Sequence, residues 1–372
     1  MDRRTYREHI HDNLLSLSLD ACQKSLADWG GSVSEITHLV WATMSAVIDA
    51  PSMDCYLVNE LGLNASTKRL AVQQMGCMGG FRCLNLAAEL TATNPKNRVL
   101  ICVVDVRSGL QNQLPPVKEG ESHTKAALLS CALFRDAASS AIVGTQPRSY
   151  ERPKAEWLRG ASHVIKGTLD QVSITDNDSS SIKWFNDKKM PATIGSQCPR
   201  VINELIAGFG LTARDPQYVV HTGGPAILKG PQAILRLPDE QMQASWDFMH
   251  HHGNTSGSSN IAILHHELTR DQEKPREFIM CLAGGPGICI EGAFLRRLDR
   301  DAVAGSTPAW RQQKLIGASW VKRTMYTVLP IGPQSMLGFY ALRSYAWWMG
   351  FRDNIEGYTK YLTYIMGLAS LA

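Results

Sequence analysis

Ala71–Leu84 reads Ala-Val-Gln-Gln-Met-Gly-Cys-Met-Gly-Gly-Phe-Arg-Cys-Leu and carries Cys77 among three glycines, Gly76, Gly79 and Gly80. Thr67–Val72 reads as a strand and Leu84–Leu90 as a helix, so Cys77 falls in a strand-to-helix turn. A thiol near a helix N-terminus is a candidate nucleophile, because free N–H groups and the helix dipole favour the thiolate. Glycines beside it let backbone or substrate approach closely. The same stretch also suits a buried structural cysteine. His221 ends the short strand Gln217–Val220 and precedes Thr-Gly-Gly-Pro-Ala. A residue there projects at the carboxyl edge of a sheet, where ligands bind in layered folds. Asn254 stands in His-His-His-Gly-Asn-Thr-Ser-Gly-Ser-Ser, where its amide is a candidate donor in a tight site. His221 and Asn254 follow Cys77 by 144 and 177 residues, giving Cys, His and Asn in that order.

The elements that must position these residues alternate. Residues 1–30 read as a helix with Leu14, Leu15, Leu17, Leu19, Cys22 and Leu26 as its apolar face. Ile36–Thr43 reads as a strand, Asp54–Leu61 as a short helix, and Arg98–Val106 as a near-continuous apolar strand covered on both faces. Thr124–Phe134 reads as a helix and Ser139–Gly144 as a strand. In a second half from about 151, Ser162–Ile174 holds one or two strands, and Asn177–Lys189 reads as a polar loop carrying Trp184 and Phe185. Cys198–Phe209, Ala226–Leu235, Glu240–His250 and Ser256–Leu268 read as helices, and Phe278–Ala283 as a strand running into Gly284-Gly285-Pro286-Gly287. This alternation predicts a layered α/β fold. Three segments follow: 1–150 with the cysteine, 151–299 with His221 and Asn254, and 300–372, which holds 8 Lys/Arg against 3 Asp/Glu and 12 of the 28 aromatic residues.

Composition narrows the chemistry. The nine cysteines show no CxxC and no paired Cys/His spacing, which argues against a zinc site and a disulfide scaffold and points to a reducing, cytoplasmic setting. Consecutive His250, His251 and His252 do not share a helix face, so no metal is expected. Gly284–Gly287 lacks the Lys-Ser/Thr of a phosphate loop. A net charge of +4 is too small to indicate nucleic acid, and no apolar run reaches the roughly 18 residues of a membrane span.

A papain-like protease also uses Cys, His and Asn, but it needs a Cys-Gly-Ser-Cys-Trp-like context that Met-Gly-Cys77-Met-Gly-Gly does not supply. The chain instead resembles the type III polyketide synthases, the chalcone-synthase-like branch of the thiolase superfamily, and looks most like their fungal members. The resemblance spans about residues 15–298. It rests on Gln74-Met-Gly-Cys77-Met-Gly-Gly, Val220-His221-Thr-Gly-Gly-Pro-Ala-Ile-Leu, Gly253-Asn254-Thr-Ser256-Gly-Ser, Gly285-Pro286-Gly287 and Ala132-Leu-Phe134-Arg-Asp136. It implies a thiolase-like αβαβα fold built from two similar halves, and a homodimer. Cys77 would carry the acyl chain as a thioester, paired with His221 as thiolate and imidazolium. His221 and Asn254 would donate to the malonyl-CoA carbonyl during decarboxylation. The substrates are acyl-CoA and malonyl-CoA, with no further cofactor. Phe134 and Trp184 would be aromatic gatekeepers, Asp105 the acidic residue under the site, and Ser256, Gly284, Gly285, Pro286 and Gly287 parts of the pocket wall.

The chain departs from the family pattern in three places. Met1 aligns well inside it, so the first half is expected to be incomplete, with an exposed sheet edge. Gly284 stands where the family has an aromatic residue, which predicts a roomier cavity. Ala50 in Asp49-Ala50-Pro51 replaces a Met that reaches the partner's site. The last two suit a fatty acyl starter and pyrone or resorcinol products. Within the basic, aromatic stretch 300–372, Tyr340–Phe351 and Asn354–Leu371 can be drawn as amphipathic helices that either lie on a membrane surface or pack on the core or the dimer. The rival readings are a condensing enzyme of the fatty-acid type performing one extension, and an inactive truncated paralogue serving as a scaffold subunit.

Overall fold

Strand β1 (His38–Thr43) is buried along its whole length and pairs in parallel with β2 (Lys68–Gln73) on one side and β3 (Arg98–Asp105) on the other. Strand β4 (Ala137–Gly144) runs antiparallel to β3, giving the sheet order β2-β1-β3-β4. The computed structural model describes residues 3–45, 50–108, 132–176 and 182–298. Most of the expected helix at 124–134 and all of 299–372 lie outside the described residues.

Side-chain alternation along these strands fixes the layers. On β1 and β3, Val40, Ala42, Val99, Ile101 and Val103 face one side, while Leu39, Trp41, Leu100, Cys102 and Val104 face the other. Helices α1 (Arg3–Trp29) and α2 (Met53–Glu60) cover the second side. Helix α1 presents Ile10, Leu14, Ser18, Cys22 and Leu26, every fourth residue, as one buried ridge. Ser18 is tolerated there because its hydroxyl accepts the Trp41 indole N–H at 3.2 Å. Leu15, Leu17 and Leu19, expected on the same face, lie on its half-buried flanks.

The first side of this sheet meets α3 (Gly79–Thr93), buried at nine positions around its circumference, as a helix enclosed on both sides must be. The second sheet has the order β5-β10-β9-β8, from β5 (Ala155–Val164), β8 (Gln217–Val220), β9 (Phe278–Gly285) and β10 (Cys289–Arg297). Its inner residues Val219, Ile279, Cys281, Ala283, Ala293 and Leu295 share one core with α3 and the first sheet. Its outer residues pack on α4 (Met190–Ile206) and α5 (Pro225–Leu235). After α6 (Gln243–His252), helix α7 (Ser258–Thr269) joins α3 in the middle layer. The result is αβαβα, a thiolase-like arrangement. Strands β1-β3-β4 and β8-β9-β10 repeat one pattern, a parallel pair followed by an antiparallel neighbour.

Several elements differ from the sequence reading: α3 begins at Gly79 rather than Leu84, and β5 begins at Ala155 rather than Ser162. Residues 182–186 form a strand, β7, pairing antiparallel with β6 (Val172–Asp176), where a loop was expected. Helix α4 begins at Met190 with Pro191 in its first turn, eight residues before the expected Cys198, because proline's fixed φ suits a helix start. Glu240–His250 divides into a 3-10 turn, Asp239–Met242, and α6. Strand β10 was not expected, because its Ile-Glu-Gly-Ala-Phe pattern buries Glu291 and lacks clean alternation.

Candidate active site

Cys77 sits in a 3-10 turn, Gly76–Met78, between β2 and α3. The glycines are there for space. Gly76 has φ +61, and a Cβ on it would lie 2.7 Å from Pro286 Cδ. A Cβ on Gly80 would lie 2.5 Å from the Gly257 carbonyl oxygen, and one on Gly285 would lie 3.2 Å from the Met75 carbonyl oxygen. The turn is therefore pressed between the Gly285-Pro286 segment and the start of α7, and Asn260 on α7 donates Nδ2–H to the Cys77 carbonyl at 3.0 Å. Cys77 as a residue is half-buried.

Asn254 is 1% exposed and lies on a short parallel bridge with Phe134. Its backbone N–H donates to the Leu133 carbonyl at 2.9 Å and its carbonyl accepts from Arg135 N–H at 3.0 Å. Gly253 permits this with φ +69, since a Cβ there would meet the Leu133 oxygen at 2.5 Å. Asn254 Oδ1 accepts the Ser256 N–H at 2.8 Å, so its Nδ2 hydrogens are left to point elsewhere. The side chains of Asn254 and Ser256 lie near enough to the Cys77 sulfur to favour its charged form.

His221 is 1% exposed at the end of β8, and its backbone N–H bonds the Leu282 carbonyl at 3.0 Å. Nδ1 lies 2.7 Å from Ser259 Oγ, and that hydroxyl lies 2.8 Å from the Ser256 carbonyl, to which it donates. A hydroxyl has one proton, so Ser259 accepts from Nδ1–H and Nε2 carries the lone pair. Nε2 is buried with no hydrogen-bond partner among the described residues. His221 and Cys77 thus converge on the first turn of α7, through Ser259 and Asn260.

Burial acts on the charges of both groups. Burial pushes the Cys77 thiol up to about 11; the positive charge of Arg107 opposes this, Asp105 adds to it, and hydrogen bonds from Ser256 and Asn254 oppose it. Burial pushes His221 down to about 3, against a hydrogen bond to the Asn260 side chain that raises it. Desolvation of both groups therefore works against the thiolate and imidazolium pair that the resemblance implies.

The remaining predicted positions divide. Asp105 is 1% exposed and ties elements together: it accepts from Met44 N at 2.7 Å, Gly257 N at 3.2 Å, Thr43 Oγ1 at 3.3 Å and Ser45 Oγ at 3.4 Å. Phe134 is buried beside Asn254. Gly285 and Pro286 line the nucleophile turn, and a Cβ on Gly287, at φ +127, would meet Cys289 Sγ at 2.6 Å. Gly284 does not open the wall as expected: a Cβ there would lie 2.7 Å from Ile194 Cδ1, so α4 has filled that space. Trp184 lies on β7 opposite Ile174, and its side chain is outside the described part. Ala50 is exposed, and Asp49 lies outside the described residues.

Three participants escaped the sequence reading. Ser259 and Asn260 follow Asn254 within one polar run, Gly-Asn-Thr-Ser-Gly-Ser-Ser-Asn, whose position at a helix start was the available signal. Arg107 is the third. It follows the apolar β3 by two residues at the carboxyl end of a sheet, is 3% exposed, and donates Nη2–H to Ser256 Oγ at 2.8 Å. A charged residue just past an all-buried strand was its signal.

Comparisons with known proteins identify the family. The family models for the N-terminal and C-terminal domains of chalcone and stilbene synthases match residues 2–147 and 155–299. Type III polyketide synthase C of Arabidopsis thaliana is 30% identical over 304 residues, 78% of this chain and 75% of that protein. "Probable polyketide synthase 1" of Dictyostelium discoideum is 28% identical over 288 residues, 76% of this chain but only 9% of that much longer protein. Among solved structures, the C-terminal type III polyketide synthase domain of Steely1, a type I/III hybrid from Dictyostelium, superposes with a TM-score of 0.73 at 26% identity, covering 79% of this chain and 80% of that one. With both halves matched in order, the chain belongs to the chalcone and stilbene synthase family and is a type III polyketide synthase, an acyltransferase of thiolase-like fold.

Proposed function

We propose that this chain extends an acyl-CoA starter with malonyl-CoA through a thioester on Cys77, with His221 and Asn254 as its catalytic partners. The observation that carries the reading is the locked amide of Asn254, whose Oδ1 is held by Ser256 N–H while Nδ2 remains free to donate beside the Cys77 sulfur. Neutral His221 takes the Cys77 proton on Nε2 as the sulfur attacks the starter thioester, and the proton then passes to the departing CoA sulfur. Decarboxylation of malonyl-CoA releases carbon dioxide and leaves the electron pair as an enolate. Asn254 Nδ2–H donates to that oxygen, and preorganised donors aimed at developing charge carry much of a barrier's reduction. The enolate carbon attacks the Cys77 thioester, forming the new carbon–carbon bond and returning the sulfur. Decarboxylation supplies the electrons, so the two CoA thioesters suffice without a further cofactor.

The starter is proposed to be fatty acyl and the products alkyl pyrones or resorcinols. The support is Ala50, whose short side chain takes the place of a longer one; Gly284 lends none, because Ile194 fills its space. Phe134 is proposed as a gate residue from its place beside Asn254, and Trp184 on resemblance alone. A cytoplasmic homodimer is proposed, with 300–372 touching a membrane surface on the strength of its basic and aromatic composition. No helix among the described residues is long and apolar enough to cross a membrane.

The test is product mass spectrometry with malonyl-CoA and a panel of acyl-CoA starters, beside Cys77→Ala. Starter-dependent pyrones or resorcinols, lost in the variant, are expected. Products from phenylpropanoid-CoA alone would overturn the fatty-acyl assignment, and a single-extension product would favour the fatty-acid-type condensing reading. A folded protein that neither acylates Cys77 nor releases product would favour the scaffold reading.

A further inference from the structure

His221 and Asn254 stand on separate supports. The His221 backbone N–H bonds the Leu282 carbonyl of β9 at 3.0 Å, and its Nδ1 lies 2.7 Å from Ser259 Oγ. Asn254 is held on the Leu133–Arg135 segment by backbone bonds of 2.9 and 3.0 Å. Thr222 joins the two. It directly follows His221, is fully buried, and donates its hydroxyl proton to the carbonyl of Gly253 at 2.8 Å. Gly253 lies 31 residues further along the chain and directly precedes Asn254.

What this bond does follows from the planarity of a peptide. The carbonyl of Gly253 and the N–H of Asn254 belong to one rigid plane. Leu133 holds its N–H edge and Thr222 holds its carbonyl edge, so the plane cannot rock about its long axis. Gly253 supplies no restraint of its own. It sits at φ +69 beyond the end of α6, where a Cβ would strike the Leu133 oxygen at 2.5 Å, and glycine has the widest backbone freedom of any residue. Rocking of the plane turns the N–Cα bond of Asn254 and swings the amide beyond it. Threonine suits the task because its branched Cβ stiffens χ1 and so fixes the hydroxyl.

We propose, resting on the reading of Asn254 as donor to the malonyl enolate, that Thr222 is a positioning residue: its hydroxyl fixes the Gly253–Asn254 peptide and so sets the aim of the Asn254 amide. Thr222 takes part in no bond-making step. In that reading starter loading depends on Cys77 and His221, and the His221 ring keeps its bond to Ser259 without Thr222. Decarboxylation depends on Asn254, and a small displacement of a positioned group costs up to about a hundred-fold in rate. Loss of the Thr222 hydroxyl therefore separates the two steps.

The experiment measures both steps on the full chain for the wild type, Thr222→Val, Thr222→Ser, Asn254→Ala and the Thr222→Val/Asn254→Ala double variant. Malonyl-CoA alone reports decarboxylation: carbon dioxide leaves, the enolate takes a proton from water, and acetyl-CoA is counted. Acyl-CoA starters report loading through the mass of acyl-Cys77. Thr222→Val keeps the shape of the side chain and removes the hydroxyl. It is expected to slow acetyl-CoA release by about ten- to a hundred-fold, mainly in kcat, with loading within about three-fold of wild type. Thr222→Ser should recover most of the lost rate. In the Asn254→Ala background, Thr222→Val should add less than about a two-fold loss, because the group it aims is gone. Wild-type release by Thr222→Val, equal losses in the two steps, no recovery in Thr222→Ser, or a full further loss in the double variant would each overturn the role. If Thr222→Val does not fold, Thr222→Ala, which also lacks the hydroxyl, is read in its place. When the wild type makes acyl-Cys77 and acetyl-CoA and Thr222→Val matches it, the positioning role fails and the synthase reading stands. A folded wild type that makes neither overturns that reading, and the positioning role with it.

Discussion

At the residue scale, the site separates two kinds of donor. Asn254 is oriented before any substrate arrives, because Ser256 N–H occupies its Oδ1. Removing one such donor typically costs a hundred- to a thousand-fold in rate. Asn254→Ala is therefore expected to lower malonyl-CoA decarboxylation by about two orders of magnitude while Cys77 still accepts the starter acyl group. Acetyl-CoA release and acyl-enzyme mass, measured on the same sample, distinguish the two steps. His221 depends instead on Ser259, which fixes the proton on Nδ1 and leaves Nε2 for the proposed role of base. Ser259→Ala should reduce starter loading more than Ser259→Thr, because threonine retains a hydroxyl at that point. Equal loading in the two variants would remove Ser259 from this role.

At the element scale, close packing of β9, the nucleophile turn and the start of α7 matters more than any helix end. Ile194 of α4 occupies the space that a side chain at position 284 would need. Gly284→Phe should destabilise the protein by about 1–3 kcal/mol or more through overpacking. Adding Ile194→Ala should recover part of that loss, a coupling readable as non-additive shifts in denaturant midpoint. Additive shifts would mean that the two positions do not compete for one space. Gly80→Ala is expected to be worse, since its Cβ meets a backbone oxygen at 2.5 Å that cannot rotate away.

At the scale of the whole molecule, one buried ion pair ties the halves together. Arg98, at the start of β3, is 1% exposed and grips Glu151 with two bonds, Nε–Oε1 at 2.6 Å and Nη2–Oε2 at 2.9 Å. Trp29 of α1 donates to the same carboxylate at 2.9 Å. Burial alone would raise the Glu151 carboxyl, but hydrogen bonds from Arg98, the Arg148 amide and Trp29 hold it below its ordinary value. A carboxyl lowered by folding adds stability above its unfolded pKa and loses it as pH falls through the folded value. Stability should therefore decline on acidification below the ordinary carboxylate range, with a shallower slope in Glu151→Gln, as chemical unfolding at several pH values would reveal. Arg98→Met strands Glu151 and should cost about 3–5 kcal/mol.

The sequence by itself determined most of the order of strands and helices, β7 and β10 apart, the layered class, the turn that carries Cys77 and the motifs of the family. These follow from local hydrophobic period, from glycine where backbone approaches backbone, and from short polar runs at element ends. It could not determine what fills a space or what charge a group carries. Gly284 reads as an opening until Ile194, ninety residues earlier, is seen in its place. Cys77 and His221 read as an ion pair, and only the tertiary structure shows the burial that works against their charges. Arg107 reads as an ordinary charge after a strand until tertiary contacts set it against Ser256, which lies 149 residues away. Packing and desolvation depend on neighbours distant in the chain, so only the tertiary structure decided them.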